Sequence, residues 1–209
     1  MVDKFCQYLV NKMKEQMPDI DEERAEIIYY GLQNIIGELP KFFILLLISY
    51  LFGIWQLTLI SFFAILPYRA VSGGFHLHTH LGCILATSIM YCGTAVLGKY
   101  VSFEPHYLQY ILTIGVWIFS IIMIHLYAPA DTENVPILRK KDRKQKKILS
   151  YIILTITLGI SIVIPNQIIA NILLFGTLIQ TCTITRLAYK ITKNQYGYEI
   201  YEAQQQSNS

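Results

Sequence analysis

Charge is scarce in this chain. Only 15% of its 209 residues are Asp, Glu, Lys or Arg, and 54% are hydrophobic. Soluble domains carry about a quarter charged residues, and here the apolar excess is gathered in blocks, so an ordinary soluble domain is excluded. The net charge of +3 is too small to indicate nucleic-acid binding. Cysteines are few and scattered: Cys6, Cys83, Cys92 and Cys182 form no CxxC pair. That spacing excludes a zinc finger and a disulfide framework, and leaves free thiols in a membrane or facing a reducing cytosol. The first seventeen residues hold Asp3, Lys4, Lys12, Lys14 and Glu15 without an apolar core, so no secretory leader is expected. No internal repeat is visible.

What is present is helical and membrane-like. Val2, Phe5, Cys6, Leu9, Met13 and Met17 recur at helical spacing opposite lysines and acids, which predicts an amphipathic helix lying on a membrane or a bundle. Pro18 ends it. Asp19 is the expected cap of a second helix, with Glu22 at the capping-box position, running to about Gly37. Residues 42–66 are apolar except for a weak break at Gly53-Ile54-Trp55-Gln56. A single crossing takes about 20 residues, so this stretch is long for one pass and short for two. Further apolar spans cover residues 81–97, 107–126, 148–164 and 168–185, the last two separated by Pro165-Asn166. The fold class expected is all-α, a polytopic membrane helix bundle with amphipathic N-terminal helices. Residues 1–195 form one membrane-embedded domain in this reading, and 196–209 a polar, frayed tail.

Charge sets the expected orientation. Residues 128–147 carry Arg139, Lys140, Lys141, Arg143, Lys144, Lys146 and Lys147, which marks a cytoplasmic loop. Counting spans in both directions puts residues 67–83 and the tail on the same side. The charged N-terminal helices (residues 1–38) belong there too, which makes 42–66 a short or re-entrant hairpin split near Gly53; the rival is a single pass with an external N-terminus.

The chemistry concentrates between Arg69 and Cys83. The run Ser72-Gly73-Gly74-Phe75-His76-Leu77-His78-Thr79-His80-Leu81-Gly82-Cys83 sets three histidines and a cysteine in a polar break. On one straight helix His76 and Cys83 would lie about 10 Å apart along the axis, too far for a nucleophile and its base. Gly73-Gly74 favours a turn, and Thr79 is a plausible N-cap that puts Cys83 in the first turn of the next helix. A thiol there, beside an imidazole, suits nucleophilic catalysis. His80, three residues before Cys83, competes with His76 on spacing alone. Cys6, Cys92 and Cys182 read as packing residues, and His106 and His125 as interfacial ones. The alternating His76, His78 and His80 with Cys83 could instead hold zinc or copper, but no acidic residue joins them. Arg69 is either a snorkelling residue or a clamp for a carboxylate or oxyanion.

Arg69, Gly73-Gly74-Phe75-His76 and Cys83, followed by Tyr127-Ala128-Pro129-Ala130-Asp131-Thr132-Glu133-Asn134-Val135-Pro136 and the basic run, resemble the accessory gene regulator B family of bacterial membrane peptidases. The resemblance extends over most of the chain. It implies His76 as general base and Cys83 as nucleophile, with Arg69, Gly73 and Gly74 as support, and gives no role to His78 or His80. It implies a cysteine endopeptidase without metal or cofactor. The substrate would be a precursor peptide with an acidic C-terminal tail, cleaved through a thioester acyl-enzyme to a cyclic lactone or thiolactone quorum-sensing intermediate. The acidic tail would dock on the basic run around Lys140 and Lys141, and the protein would be a homodimer in the cell membrane. Asp131 and Asn134 are candidates for orienting His76 or holding the loop. The competing functions are a small membrane transporter or exporter, disfavoured by the few intramembrane charges, and a His-rich metal-binding membrane protein.

Overall fold

A computed structural model describes residues 2–16, 21–77, 79–133 and 136–207. Among them it forms nine helices: α1 Val2–Gln16, α2 Glu22–Leu51, α3 Trp55–Ser72, α4 His80–Tyr100, α5 Tyr107–Tyr127, α6 Lys140–Val163, α7 Gln167–Thr183, α8 Arg186–Thr192 and α9 Gly197–Ser207. Three helical stretches, Leu81–Tyr100, Tyr107–Tyr127 and Lys140–Val163, are long and apolar enough to cross a membrane. The pair α7 and α8, bent by 67°, is apolar and long enough to make a fourth span if it crosses as one broken helix. The expected all-α, multi-pass architecture is therefore present.

The chain divides into two compact units, Met1–Ile48 and Ser49–Ser209. In the first, α1 buries Cys6 and Val10, one turn apart, and exposes Lys12 and Glu15. Pro18 and Asp19 lie outside the described residues, as does the side chain of Glu22. The cap of α2 is Asp21, whose Oδ1 accepts from the Arg24 amide at 2.8 Å. Contrary to the expected end near Gly37, α2 continues through Pro40 to Leu51. The break predicted near Gly53 is present, with φ of +65° at that glycine.

In the second unit α7 packs against α3, α4, α5 and α6. It is buried around much of its circumference, from Ala170 through Leu174 to Thr183, as a central helix must be. Its neighbours turn inward their small and polar residues. The buried stripe of α3 is Thr58, Ser61, Ile65, Tyr68 and Ser72, and that of α5 is Gln109, Thr113, Val116, Ser120 and Ile124. Isoleucines such as Ile111, Ile118, Ile152 and Ile160 face outward. This inversion is expected where lipid is as apolar as leucine and association depends on close packing and interhelical hydrogen bonds. Both occur. A Cβ on Gly176 of α7 would come within 2.5 Å of Ile65 Cδ1 of α3. Thr181 Oγ1 of α7 lies 3.1 Å from Tyr68 Oη of α3 and 2.9 Å from Ser120 Oγ of α5.

Three further boundaries differ from the sequence reading. Helix α3 runs through Pro67 to Ser72, so Arg69 is helical and the polar break shrinks to residues 73–79. Helix α6 starts at Lys140, so the basic run forms its first turns rather than a loop. Residues 197–207 are a helix, not a frayed tail. Tyr196, just before α9, stacks on Tyr189 with centroids 4.2 Å apart and donates to the Ile184 carbonyl at 2.9 Å. Burial, then the neighbouring Tyr127, hold its phenol above the usual range, so it remains a donor.

Candidate active site

The break between α3 and α4 opens on two glycines that no other residue could replace without movement. Gly73 has φ of +76°, and a Cβ there would run into the backbone carbonyl of Ala130. Gly74 has φ of +142°, and its Cβ would meet Thr183 Oγ1 at 2.7 Å and Arg69 Nη1 at 3.4 Å. Freed of side chains, the strand segment pairs with the loop after α5. The Ala130 amide donates to Ser72 O at 2.8 Å, and the Gly74 amide donates to Ala130 O at 3.0 Å. The two sequence motifs are thus joined as a short parallel bridge between Gly73 and Ala130. The Phe75 amide then reaches Thr183 O of α7 at 3.4 Å.

Beyond Phe75 the chain leaves this framework. His76 is exposed and lies outside any helix. Thr79 caps α4 as expected, accepting from the Gly82 amide at 3.1 Å. Cys83, half-buried, falls in the first turn of α4, and its amide donates to Thr79 O at 3.0 Å. The bend required by the seven-residue spacing therefore exists. His76 and Cys83 both line one cavity of about 300 Å³, with Arg69 beside them. Its other walls are mainly apolar: Phe75, Leu77, Ala86, Ile89, Met90 and Ile179. Among the described residues Cys83 is the one cysteine on this cavity. Cys92 instead accepts from Thr58 Oγ1 at 3.9 Å.

Arg69 is held from two sides. Its Nη1 donates to Gln180 Oε1 at 3.1 Å and its Nη2 to Phe75 O at 3.2 Å. Gln180 was not among the sequence candidates. It is fully buried in α7, and its Nε2 donates to Gly73 O at 2.8 Å and to Ser72 Oγ at 3.1 Å. An amide in the last turn of an apolar span is the signal that could have drawn attention to it.

The remaining candidates separate. Asp131 takes the loop-holding alternative: its side chain is fully buried, and Oδ2 accepts from the Ile137 amide and Arg143 Nη1, both at 2.9 Å. Tyr189 Oη, 3.0 Å from both the Ala130 and Asp131 carbonyls, braces the same segment. Lys140 and Lys141 are exposed at the start of α6 and do not line the cavity. Asn134, His78 and the side chain of His80 lie outside the described residues. Among the described residues no cluster of His, Cys, Asp or Glu has the makings of a metal site.

Comparison with known proteins resolves the family. The accessory gene regulator B family model matches residues 6–184. The chain belongs to the accessory gene regulator B family. A protein of Listeria welshimeri described as AgrB-like is 32% identical over 200 residues, covering 91% of this chain and 96% of its own. Relatives with the same description from Clostridium perfringens and Clostridium acetobutylicum are 32% and 28% identical, over 78% and 81% of this chain and 76% and 80% of theirs. No solved structure matches. Members of this family process autoinducer peptide precursors and are regarded as peptidases. A precursor peptide is accordingly the substrate class that membership assigns to this AgrB-family chain.

Proposed function

We propose that this protein is a membrane cysteine endopeptidase that removes the C-terminal tail of a precursor peptide and prepares its cyclisation. The observation that carries this reading is the shared cavity of His76 and Cys83, reached from opposite sides of one bend. In the proposed reaction the Cys83 sulfur bonds to the carbonyl carbon of the scissile peptide. The carbonyl π pair moves to oxygen. Collapse of that intermediate breaks the C–N bond, and His76 delivers a proton to the departing amine. A thioester on Cys83 remains. A side-chain thiol or hydroxyl within the bound peptide then attacks it, giving its proton to His76 and returning the Cys83 thiolate. The product is a thiolactone or lactone. Exchange between thioesters is close to balanced in energy, so water must be kept out, and the apolar wall of the cavity serves that end.

The acidic tail docks on Lys140, Lys141 and their neighbours, which attract it as point charges at the mouth of α6. By the positive-inside rule this run faces the cytoplasm, together with the catalytic break and both termini. The protein works as a homodimer. The test is direct: purified protein in lipid, incubated with its precursor, cleaves it, and Cys83→Ala does not. Undiminished cleavage by Cys83→Ala overturns the proposal.

A further inference from the structure

We propose that Gln180 is the positioning residue that holds the Arg69 guanidinium at the catalytic cavity, where Arg69 receives the negative charge that develops on the scissile carbonyl oxygen. The inference rests on the reading of Cys83 as nucleophile.

Gln180 is costly where it stands. An amide within an apolar span destabilises the fold unless its polar atoms find partners. Here Oε1 and both N–H groups of Nε2 are engaged, and every partner belongs to one short stretch: Arg69, Ser72 and Gly73. One side chain of the central helix thus fixes the last turn of α3 and the first glycine of the break together. Helix packing alone would not need it, since Thr181 already ties α7 to α3 and α5.

Arg69 shows what is being fixed. Of its five N–H groups, one goes to Gln180 and one to Phe75 O, both neutral acceptors. Among the described residues it has no carboxylate partner, so its charge is not cancelled. Gly74 lets the backbone lie against the guanidinium, with an added Cβ only 3.4 Å from Nη1. The result is a cation borne on neutral supports, facing a mainly apolar cavity that also holds the sulfur and the imidazole. Prearranged donors in such a site stabilise a developing oxyanion with no reorganisation at the moment of attack. As Cys83 bonds to the carbonyl carbon, the displaced π pair gathers on oxygen, and free N–H groups of Arg69 donate to it. When the C–N bond breaks, that pair returns to the carbonyl. Gln180 touches none of the reacting atoms; it acts through Arg69.

The experiment measures acylation of Cys83 in lipid nanodiscs by intact-mass spectrometry, in single turnover, over a range of precursor concentrations. Wild type is compared with Arg69→Ala, Gln180→Leu and the double variant. Each single change is expected to lower the limiting acylation rate by roughly tenfold or more, with the half-saturating precursor concentration little altered. The double variant should be no more than about twofold slower than Arg69→Ala, because both remove one interaction. A purely structural role predicts losses that multiply. Multiplying losses, a Gln180→Leu rate equal to wild type, or a loss confined to half-saturation would overturn the proposal. Where Gln180→Leu fails to fold, as judged by size-exclusion profile, the unbranched Gln180→Met takes its place in the same cycle. Absence of any Cys83 adduct in wild type would sink the cysteine-peptidase reading itself, and this inference with it. A wild-type adduct with unaffected variants sinks this inference alone.

Discussion

The two polar breaks in the second unit are built to opposite ends. The segment after α5 spends its chemistry on structure. Asp131 is buried and bound to Arg143 and the Ile137 amide, Thr132 is buried, and Arg143 itself lies over the Tyr198 ring at 4.2 Å. The segment after α3 is anchored at Gly73, Gly74 and Phe75, and from there presents His76 and Cys83 to a cavity. One break is a buttress and the other carries the reactive groups, and the bridge between Gly73 and Ala130 is where the first supports the second. A carboxylate consumed by its surroundings serves as scaffold. An imidazole and a thiol that line one cavity are, in the proposed reading, the groups placed for reaction.

That contrast can be broken by mutation. The largest effect belongs to the reactive break. His76→Gln is expected to lower precursor cleavage by roughly 10²–10⁴-fold, the range for a lost general acid–base group, while thermal unfolding in detergent is unchanged. A matching loss of stability would place His76 with the scaffold. The buttress should show the reverse pattern. Asp131→Ala leaves Arg143 and the Ile137 amide without their acceptor and is expected to cost about 3 kcal/mol, read as a lowered Tm; an unaltered Tm would contradict its structural role. The bridge is intermediate. Gly73→Ala and Gly74→Ala each cost about 1–3 kcal/mol from their backbone conformations. Gly73→Ala should be the worse, because its Cβ runs into a backbone carbonyl, while Gly74's meets the Thr183 side chain at longer range. Equal Tm shifts would show that the contact with Ala130 relaxes freely. The smallest effect belongs to Lys140 and Lys141, exposed at the start of α6. Replacing both with Ala should raise KM by about threefold to tenfold at low salt with kcat retained. A fall in kcat would instead tie them to the chemical step.

Much of this was legible in the residues. Apolar runs placed the spans, because a bilayer demands about 20 apolar residues per crossing. Thr79 and the paired glycines announced the bend before Cys83. Helices α2 and α3 run past the ends read from the sequence, continuing through Pro40 and Pro67, although an interior proline usually ends a helix in water. The lysines ahead of residue 148 read as a loop because they are charged, yet they suit a helix that leaves the bilayer still wound. The aromatic stack that fastens the last helix is invisible to composition, since Tyr189 and Tyr196 meet only after α8 has turned. Gln180 escaped for a related reason. Its three partners lie more than 100 residues away, and no local pattern connects them.

The proposed reaction bonds Cys83 to the substrate. It is tested most directly by rapidly acidifying a reaction of purified protein with its precursor and taking the intact mass, followed by fragmentation and a hydroxylamine wash. The expected result is added mass equal to the precursor without its C-terminal tail, mapped to Cys83 and removed by hydroxylamine, as a thioester requires. Cleaved precursor accumulating with Cys83 unmodified at every time point, and still produced by Cys83→Ala, would contradict it.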